Sequence, residues 1–293
     1  VGKYLYGASV QGIQEFIFKT NQLQEIVGAS EIVKSLEAEF ENISGYQKGD
    51  KNILLNAAGN IKAIFDDKNK LEVVVREFPK LIMQKAYGIT ISQAVVDMGK
   101  PEFDTQEKAI KELEKRLKTQ RNKPSILLDL SINIMELAPK TARPLFKIDK
   151  NENELDTASF LKRKANNDFY EKNPRNKEFV NISDFSNGKG KIAIIHADGN
   201  GLGQLIPNLK IPLNEFSKKL NDATKKAFDE AKDETMDIRE VVLGGDDLTV
   251  ICNANNALEF TRRFLANFEK ETKDLGNGGL TACAGIAYCN EKY

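Results

Sequence analysis

Apolar positions along the chain fall into two series with the same order. The first opens with an extended run from Lys3 to Ala8, then Ile13, Phe16 and Ile17 at helical spacing, then a second helical stripe of Ile32, Val33, Leu36 and Phe40. A strand Asn52 to Ala57, the small-residue turn A-A-G-N and a return strand Ile61 to Phe65 follow. D-D-K-N then leads into a helix with Leu71, Val74, Val75, Phe78 and Ile82 on one face, and Pro79 inside it is expected to kink it. The strand Ile89 to Met98 closes the series. This β-α-α-β-β-α-β order is a ferredoxin-like split unit with one additional helix.

From Lys191 the pattern starts again. A strand Lys191 to Ala197 precedes D-G-N-G-L-G-Q-L-I, and Pro212 opens a helix whose stripe is Leu213, Phe216, Leu220, Ala223, Ala227 and Phe228. The strand Ile238 to Leu243, the turn G-G-D-D and the strand Leu248 to Asn253 form a hairpin. Asn255 or Asn256 is placed to cap a helix buried through Phe260 or Thr261, Phe264 and Phe268, and a strand Leu280 to Tyr288 ends the series.

Between the two, the pattern changes. Glu107 to Arg121 is a strongly charged helix, Ser125 to Leu137 an apolar segment compatible with either type, and Ala138 to Pro144 a loop. Asp156 to Glu171 is a helix whose Lys162, Arg163 and Lys164 read as a solvated face, with an RNA or partner surface as the alternative. The fold class is therefore α+β: two ferredoxin-like domains, residues 1–98 and 191–293, with a mainly helical insertion at 99–190. Aligning the halves gives offsets of 189 for Ala8 to Ile17 over Ala197 to Ile206, 187 for the hairpins and 191 for the last strands, which points to a duplicated domain.

Composition removes alternatives. The chain has 293 residues with 43 basic and 43 acidic side chains, so it lacks the overall positive field of a non-specific nucleic-acid or membrane binder. No apolar stretch approaches a membrane span. Cys252, Cys283 and Cys289 have no paired spacing, which argues against zinc or a disulfide framework; they read as small core residues in a reducing cytoplasm.

The chemistry lies where the copies differ. Asp198 replaces Ser9, and Asp246 and Asp247 replace Gly59 and Asn60, so every carboxylate of the set sits in the second copy. The topology brings the end of the first strand beside the hairpin tip, where clustered carboxylates call for Mg²⁺ or Mn²⁺. Such sites serve phosphoryl and nucleotidyl transfer. Asp198 and Asp246 are the expected metal ligands, with Asp247 second and the Gly199 carbonyl as another. Gly244 and Gly245 let a polyphosphate approach the turn, and the amides of Asn200 to Gly203, Gly201 included, are placed to receive a triphosphate. Asp198 read alone is equally a helix N-cap, and His196 reads as a packed or hydrogen-bonded strand residue.

A-D-G-N-G-L-G with L-G-G-D-D-L resembles the palm domain of nucleotide cyclases and of the polymerase-like large subunit of type III CRISPR effector complexes. Y-G-A-S-V-Q-G-I-Q-E-F-I-F with L-Q-E-I-V-G-A-S-E-I-V is similar to that subunit's first, inactive palm. The resemblance implies that the GGDD palm converts ATP to cyclic oligoadenylate, with Asp198, Asp246 and Asp247 as the metal and catalytic group. It places Ser30, and with it Ser9 and Asn60, in the first-palm half of the nucleotide pocket. It implies other effector subunits and guide or target RNA as partners; a homo-oligomer of this chain is a further expectation, while the tandem copies would do in one chain what paired single domains do as a dimer. A non-catalytic nucleotide-binding or scaffold subunit is the rival reading. The single histidine leaves no HD nuclease in this chain, and the family's inter-palm zinc ribbon has no cysteines here.

Overall fold

Each apolar series folds into a four-stranded sheet backed by helices. The structure, a computed structural model, describes residues 2–291 apart from 48, 58, 124–131, 133, 174–180, 207, 208, 210, 276 and 277. The first series gives β1 (Tyr4–Gln11), α1 (Ile13–Phe18), α2 (Leu23–Ser44), β2 (Ile53–Ala57), β3 (Asn60–Phe65), α3 (Lys68–Lys85) and β4 (Thr90–Asp97). The segment after it gives α4 (Gln106–Arg121), β5 (Leu137–Ala138), β6 (Arg143–Ile148), β7 (Glu154–Asp156) and α5 (Thr157–Lys172). The second series gives β8 (Lys191–Gly199), α6 (Leu202–Leu205), α7 (Leu213–Ala231), β9 (Ile238–Gly244), β10 (Asp247–Asn253), α8 (Ala257–Glu271) and β11 (Ala282–Asn290). The chain divides into two compact units, Val1–Asp50 with Ile64–Glu178, and Lys51–Ala63 with Phe179–Tyr293.

The duplication extends to backbone detail. Strand order is β2-β3-β1-β4 in one sheet and, in the same sense, β9-β10-β8-β11 in the other. Leu54 is an extra, bulged residue in the first hairpin and Val241 in the second, 187 positions apart. Gly12 and Gly201 both precede a short helix with left-handed φ, 67° and 76°.

Pro79 lies inside α3, which nevertheless runs on as one 18-residue helix. A proline cannot donate to the carbonyl four residues back, here Val75. Gln93 of β4 fills that role: its Nε2 donates to the Val75 carbonyl at 2.9 Å, while its Oε1 accepts from the Tyr6 hydroxyl at 3.1 Å. Gln93→Leu should therefore cost about 2 kcal/mol by leaving both groups unpaired. It would be read as a lower urea midpoint with an unchanged slope. Pro79→Ala in the same chain should recover part of the loss by returning a donor to Val75. No recovery would mean that Gln93 acts in some other way.

The segment between the series carries a three-stranded sheet, β5-β6-β7, besides its helices. Part of the expected loop at Ala138 to Pro144 is strand, since Leu137 and Ala138 pair with Pro144 and Arg143. Most of the apolar segment Ser125 to Leu137 lies outside the described residues. Charged α4 buries a narrow stripe of Ala109, Leu113 and Leu117, one helical turn apart, on the first sheet. A Cβ on Gly7 would stand 2.6 Å from Leu113 Cδ2, so the glycine is what lets α4 lie on β1.

The basic cluster on α5 is not a solvated face. Lys162 is only 4% exposed, its ammonium bonded to the Phe16 carbonyl and 4.3 Å from the centre of the Phe16 ring. Burial lowers its pKa to about 8, with Glu25 pulling the other way. Arg163 bridges Glu25 at 2.9 Å and Asp149 at 2.8 Å, and Lys164 alone of the three stays exposed. The cause is the crossing of α5 on α2, which turns the Lys162 and Arg163 side of the helix inward.

Candidate active site

In the second unit, Ala193, Ile195 and Ala197 of β8 with Leu248, Val250 and Cys252 of β10 face a core filled by Phe216, Phe228, Phe260, Phe264 and Phe268 from α7 and α8. Side chains alternate along a strand, so Ile194, His196 and Asp198 point to the face opposite this core. Leu248 pairs with Ala197, and one step further along that register Asp247 stands opposite Asp198. Asp247 also closes the hairpin by pairing with Gly244, which leaves Gly245 and Asp246 as the two turn residues. Gly245 has φ 61°, the left-handed value that suits glycine at the first central position of a tight hairpin turn.

Because Asp246 sits in the turn rather than on a strand, strict alternation does not separate it from Asp247. Both carboxyls come within hydrogen-bonding reach of Asp198. Burial, reinforced by the neighbouring carboxylates Asp247 and Asp198, raises the Asp246 pKa to about 6; burial and then Asp198 raise that of Asp247 to about 6. Gly199 makes room for the set. A Cβ there would lie 2.7 Å from Asp246 Cβ and 3.1 Å from its Oδ2.

The three carboxyls do not close a ready-made cage: among the described residues no group of three or more His, Cys, Asp and Glu is arranged to hold a metal by itself. Magnesium seldom needs one, since it keeps several waters and is commonly bound by one or two carboxylates plus substrate phosphates. Oxygen donors crowded enough to resist ionising fit that pattern.

Asp198 is no helix cap. It belongs to β8 and pairs with Cys283, and Gly201 occupies the position before α6. Asn200 donates its backbone N–H to the Thr281 carbonyl at 2.8 Å and its side-chain amide to Thr281 Oγ1 at 3.0 Å. Its backbone amide is thereby engaged, and Gly201 to Gly203 remain at the start of the four-residue α6. His196 Nδ1 lies 3.0 Å from Thr249 Oγ1, a cross-strand pair. Ser9 on β1 and Ser30 on α2 belong to the first unit, where both are buried, and Asn60 opens β3 opposite Ala57. Asn256 precedes α8 without a side-chain cap; Asn253 instead accepts the Asn255 N–H at 3.0 Å. Of the cysteines, Cys252 is buried, but Cys283 is exposed and Cys289 half-exposed, because β11 is an edge strand and Cys283 shares with Asp198 the face opposite the core.

Two residues of the site carry no signal of their own in the sequence. Asn221 and Thr224, on α7, bond the backbone of the acidic turn. Thr224 interrupts the apolar stripe of Leu220, Ala223 and Ala227, and a buried hydroxyl in such a stripe is the mark that would have flagged it.

Two copies of one fold, with the acidic face in only the second, define a tandem palm-domain protein. Residues 191–293, about a third of the chain and the part that carries the acidic turn, match the family described as Cas10/Cmr2, second palm domain. No curated protein matches the chain. Among solved structures, it is similar to chains of the Csm1–Csm4 cassette in complex with cA4 (TM-score 0.64, 15% identity, 100% of this chain and 50% of that one). The cassettes in complex with pppApApA (0.65, 15%, 100% and 50%) and with one ATP (0.63, 15%, 100% and 51%) are similar too. The chain thus spans about half the length of these relatives. At 15% identity the likeness concerns the fold. No helix among the described residues is long and apolar enough to cross a membrane.

Proposed function

We propose that this protein is a divalent-cation-dependent nucleotidyltransferase that joins ATP through attack of a 3'-hydroxyl on an α-phosphate. Its product in this reading is a cyclic oligoadenylate, a second messenger in antiviral CRISPR-type defence. The observation that carries the reading is the meeting of Asp246 and Asp247 with Asp198 at the hairpin end of the second sheet. The solved relatives in complex with ATP, pppApApA and cA4 support the substrate and product class.

Asp198, Asp246 and the Gly199 carbonyl would hold Mg²⁺ or Mn²⁺, with Asp247 second. A cation bound there supplies charge neutralisation on the α-phosphate and the leaving pyrophosphate, and makes the attacking hydroxyl more acidic. Gly244 and Gly245, without side chains, let phosphates approach the turn. The Gly201 and Gly203 amides, flanked by the side chain of Asn200, would face the triphosphate. Other effector subunits and guide or target RNA are the partners this reading entails.

The test is incubation with Mg²⁺ or Mn²⁺ and each nucleoside triphosphate in turn, with and without an RNA activator, followed by mass analysis. An adenylate oligomer made by the wild-type protein and lost in Asp246→Ala is the expected result. Nucleotide binding without any product under all of these conditions would sink the reading in favour of a non-catalytic nucleotide-binding or scaffold subunit.

A further inference from the structure

The turn that carries Asp246 is held from outside its own hairpin. Asn221 Oδ1 accepts the Gly245 N–H at 3.3 Å, and the Thr224 hydroxyl donates to the Gly245 carbonyl at 2.6 Å. Residues three apart on a helix share a face, so α7 presents both groups to one glycine. Thr224 is fully buried, and its hydroxyl also lies 2.9 Å from the Leu220 carbonyl. A helical threonine commonly bonds only that carbonyl one turn back; here the shorter contact leaves the helix.

The geometry explains why one glycine is gripped twice. The Gly245 N–H belongs to the peptide plane before the residue, and its carbonyl to the plane shared with Asp246. Fixing both planes fixes φ and ψ of the turn residue with the widest conformational choice, and so fixes where the Asp246 side chain starts. The first hairpin is built otherwise: its left-handed glycine, Gly59 at φ 76°, is the third residue of A-A-G-N, whereas Gly245 is the second of G-G-D-D.

We infer that Asn221 and Thr224 are positioning residues that set Gly245, and through it Asp246, against the mutual repulsion of Asp198, Asp246 and Asp247, so that the cation site is formed before the cation arrives. The inference rests on the cation-dependent reading above. Neither residue is among the proposed cation ligands; both bond the backbone of Gly245.

The test uses the full chain without nucleotide. Mn²⁺ affinity is measured from the spin resonance of the free ion, and exchange of the Gly245 amide hydrogen is followed in ¹⁵N-glycine-labelled protein. Thr224→Val and Asn221→Ala are each expected to weaken Mn²⁺ binding about tenfold, the lower end for groups that orient metal ligands, and to speed Gly245 exchange. Thr224→Ser, which keeps the hydroxyl, should stay within about twofold of wild type. Asn221 is only half-buried, so Asn221→Ala decides the question even where Thr224→Val fails to fold. Wild-type affinity and exchange in Asn221→Ala would overturn the inference, as would a wild-type protein that binds no Mn²⁺. A wild-type protein that binds Mn²⁺ but joins no nucleotides overturns the proposed function alone.

Discussion

Replacing Asp246 with asparagine is expected to remove turnover about 10³-fold or more and, in chelator, to make the protein more stable above pH 6. Charge stabilisation by a bound cation is worth several kcal/mol in the transition state, and about 4 kcal/mol corresponds to about 10³ in rate. The stability gain follows from protonation. An unfolded aspartate titrates near 4, whereas burial and neighbouring carboxylates bring Asp246 and Asp247 to about 6 in the fold. Between those values the folded chain holds protons that the unfolded chain has lost, so stability falls as pH rises from about 4 to about 6 and stays lower above it. An asparagine amide in this place cannot ionise and also relieves Asp247. At full value two units per group would be about 3 kcal/mol, but both residues are only half-buried, and about 1–2 kcal/mol is expected at pH 7.5. Below pH 4 the two proteins should converge. Added Mg²⁺ or Mn²⁺ should stabilise the wild type and leave the variant nearly unchanged. Urea midpoints from pH 4 to 8, with and without cation, measure all of this; a variant less stable than wild type at pH 7.5 would contradict the account.

That site was legible in the sequence to the extent that its chemistry is local. Two glycines and two aspartates between alternating apolar runs specify a hairpin tip, and comparison with A-A-G-N shows which copy carries charge. That the hairpin tip lies beside the Asp198 end of β8 follows from the strand order. The grip of α7 on the turn does not, because Asn221 and Thr224 are ordinary helix residues until the helix is placed beside Gly245.

The fold shows the same limit. Both bulges fall within apolar runs, at Leu54 and Val241, where periodicity has no symbol for an extra residue. Pro79 reads as a kink until Gln93 is found bonding the Val75 carbonyl. Lys162 and Arg163 read as surface because charge is the strongest local signal for water, and only a close helix crossing overrides it. The residue that permits this crossing, Gly28, stands in G-A-S, where nothing in the local pattern signals that a backbone lies against it.

Gly28→Ala is accordingly expected to destabilise the protein by about 3 kcal/mol or more. Intrinsic helix propensity predicts the reverse, since alanine exceeds glycine by about 1 kcal/mol in a helix interior. The sign is set by space. A Cβ on Gly28 would lie 1.7 Å from the Lys162 carbonyl oxygen, 2.6 Å from its carbonyl carbon and 3.0 Å from the Asn166 nitrogen. A methyl group has no rotamer to escape into, and the three nearest atoms it meets are all backbone. Relief therefore requires α5 to move off α2 as a body. That movement would pull Arg163 from Glu25, at 2.9 Å, and the Lys162 ammonium from the Phe16 carbonyl, leaving a buried cation and a buried carboxylate unpaired. Gly188→Ala, whose new Cβ meets nothing within 4 Å, is the control and should stay within about 0.5 kcal/mol. Urea denaturation and limited proteolysis of the α2–α5 region report the loss. A Gly28→Ala protein with the wild-type midpoint would mean that the two helices do not cross this closely.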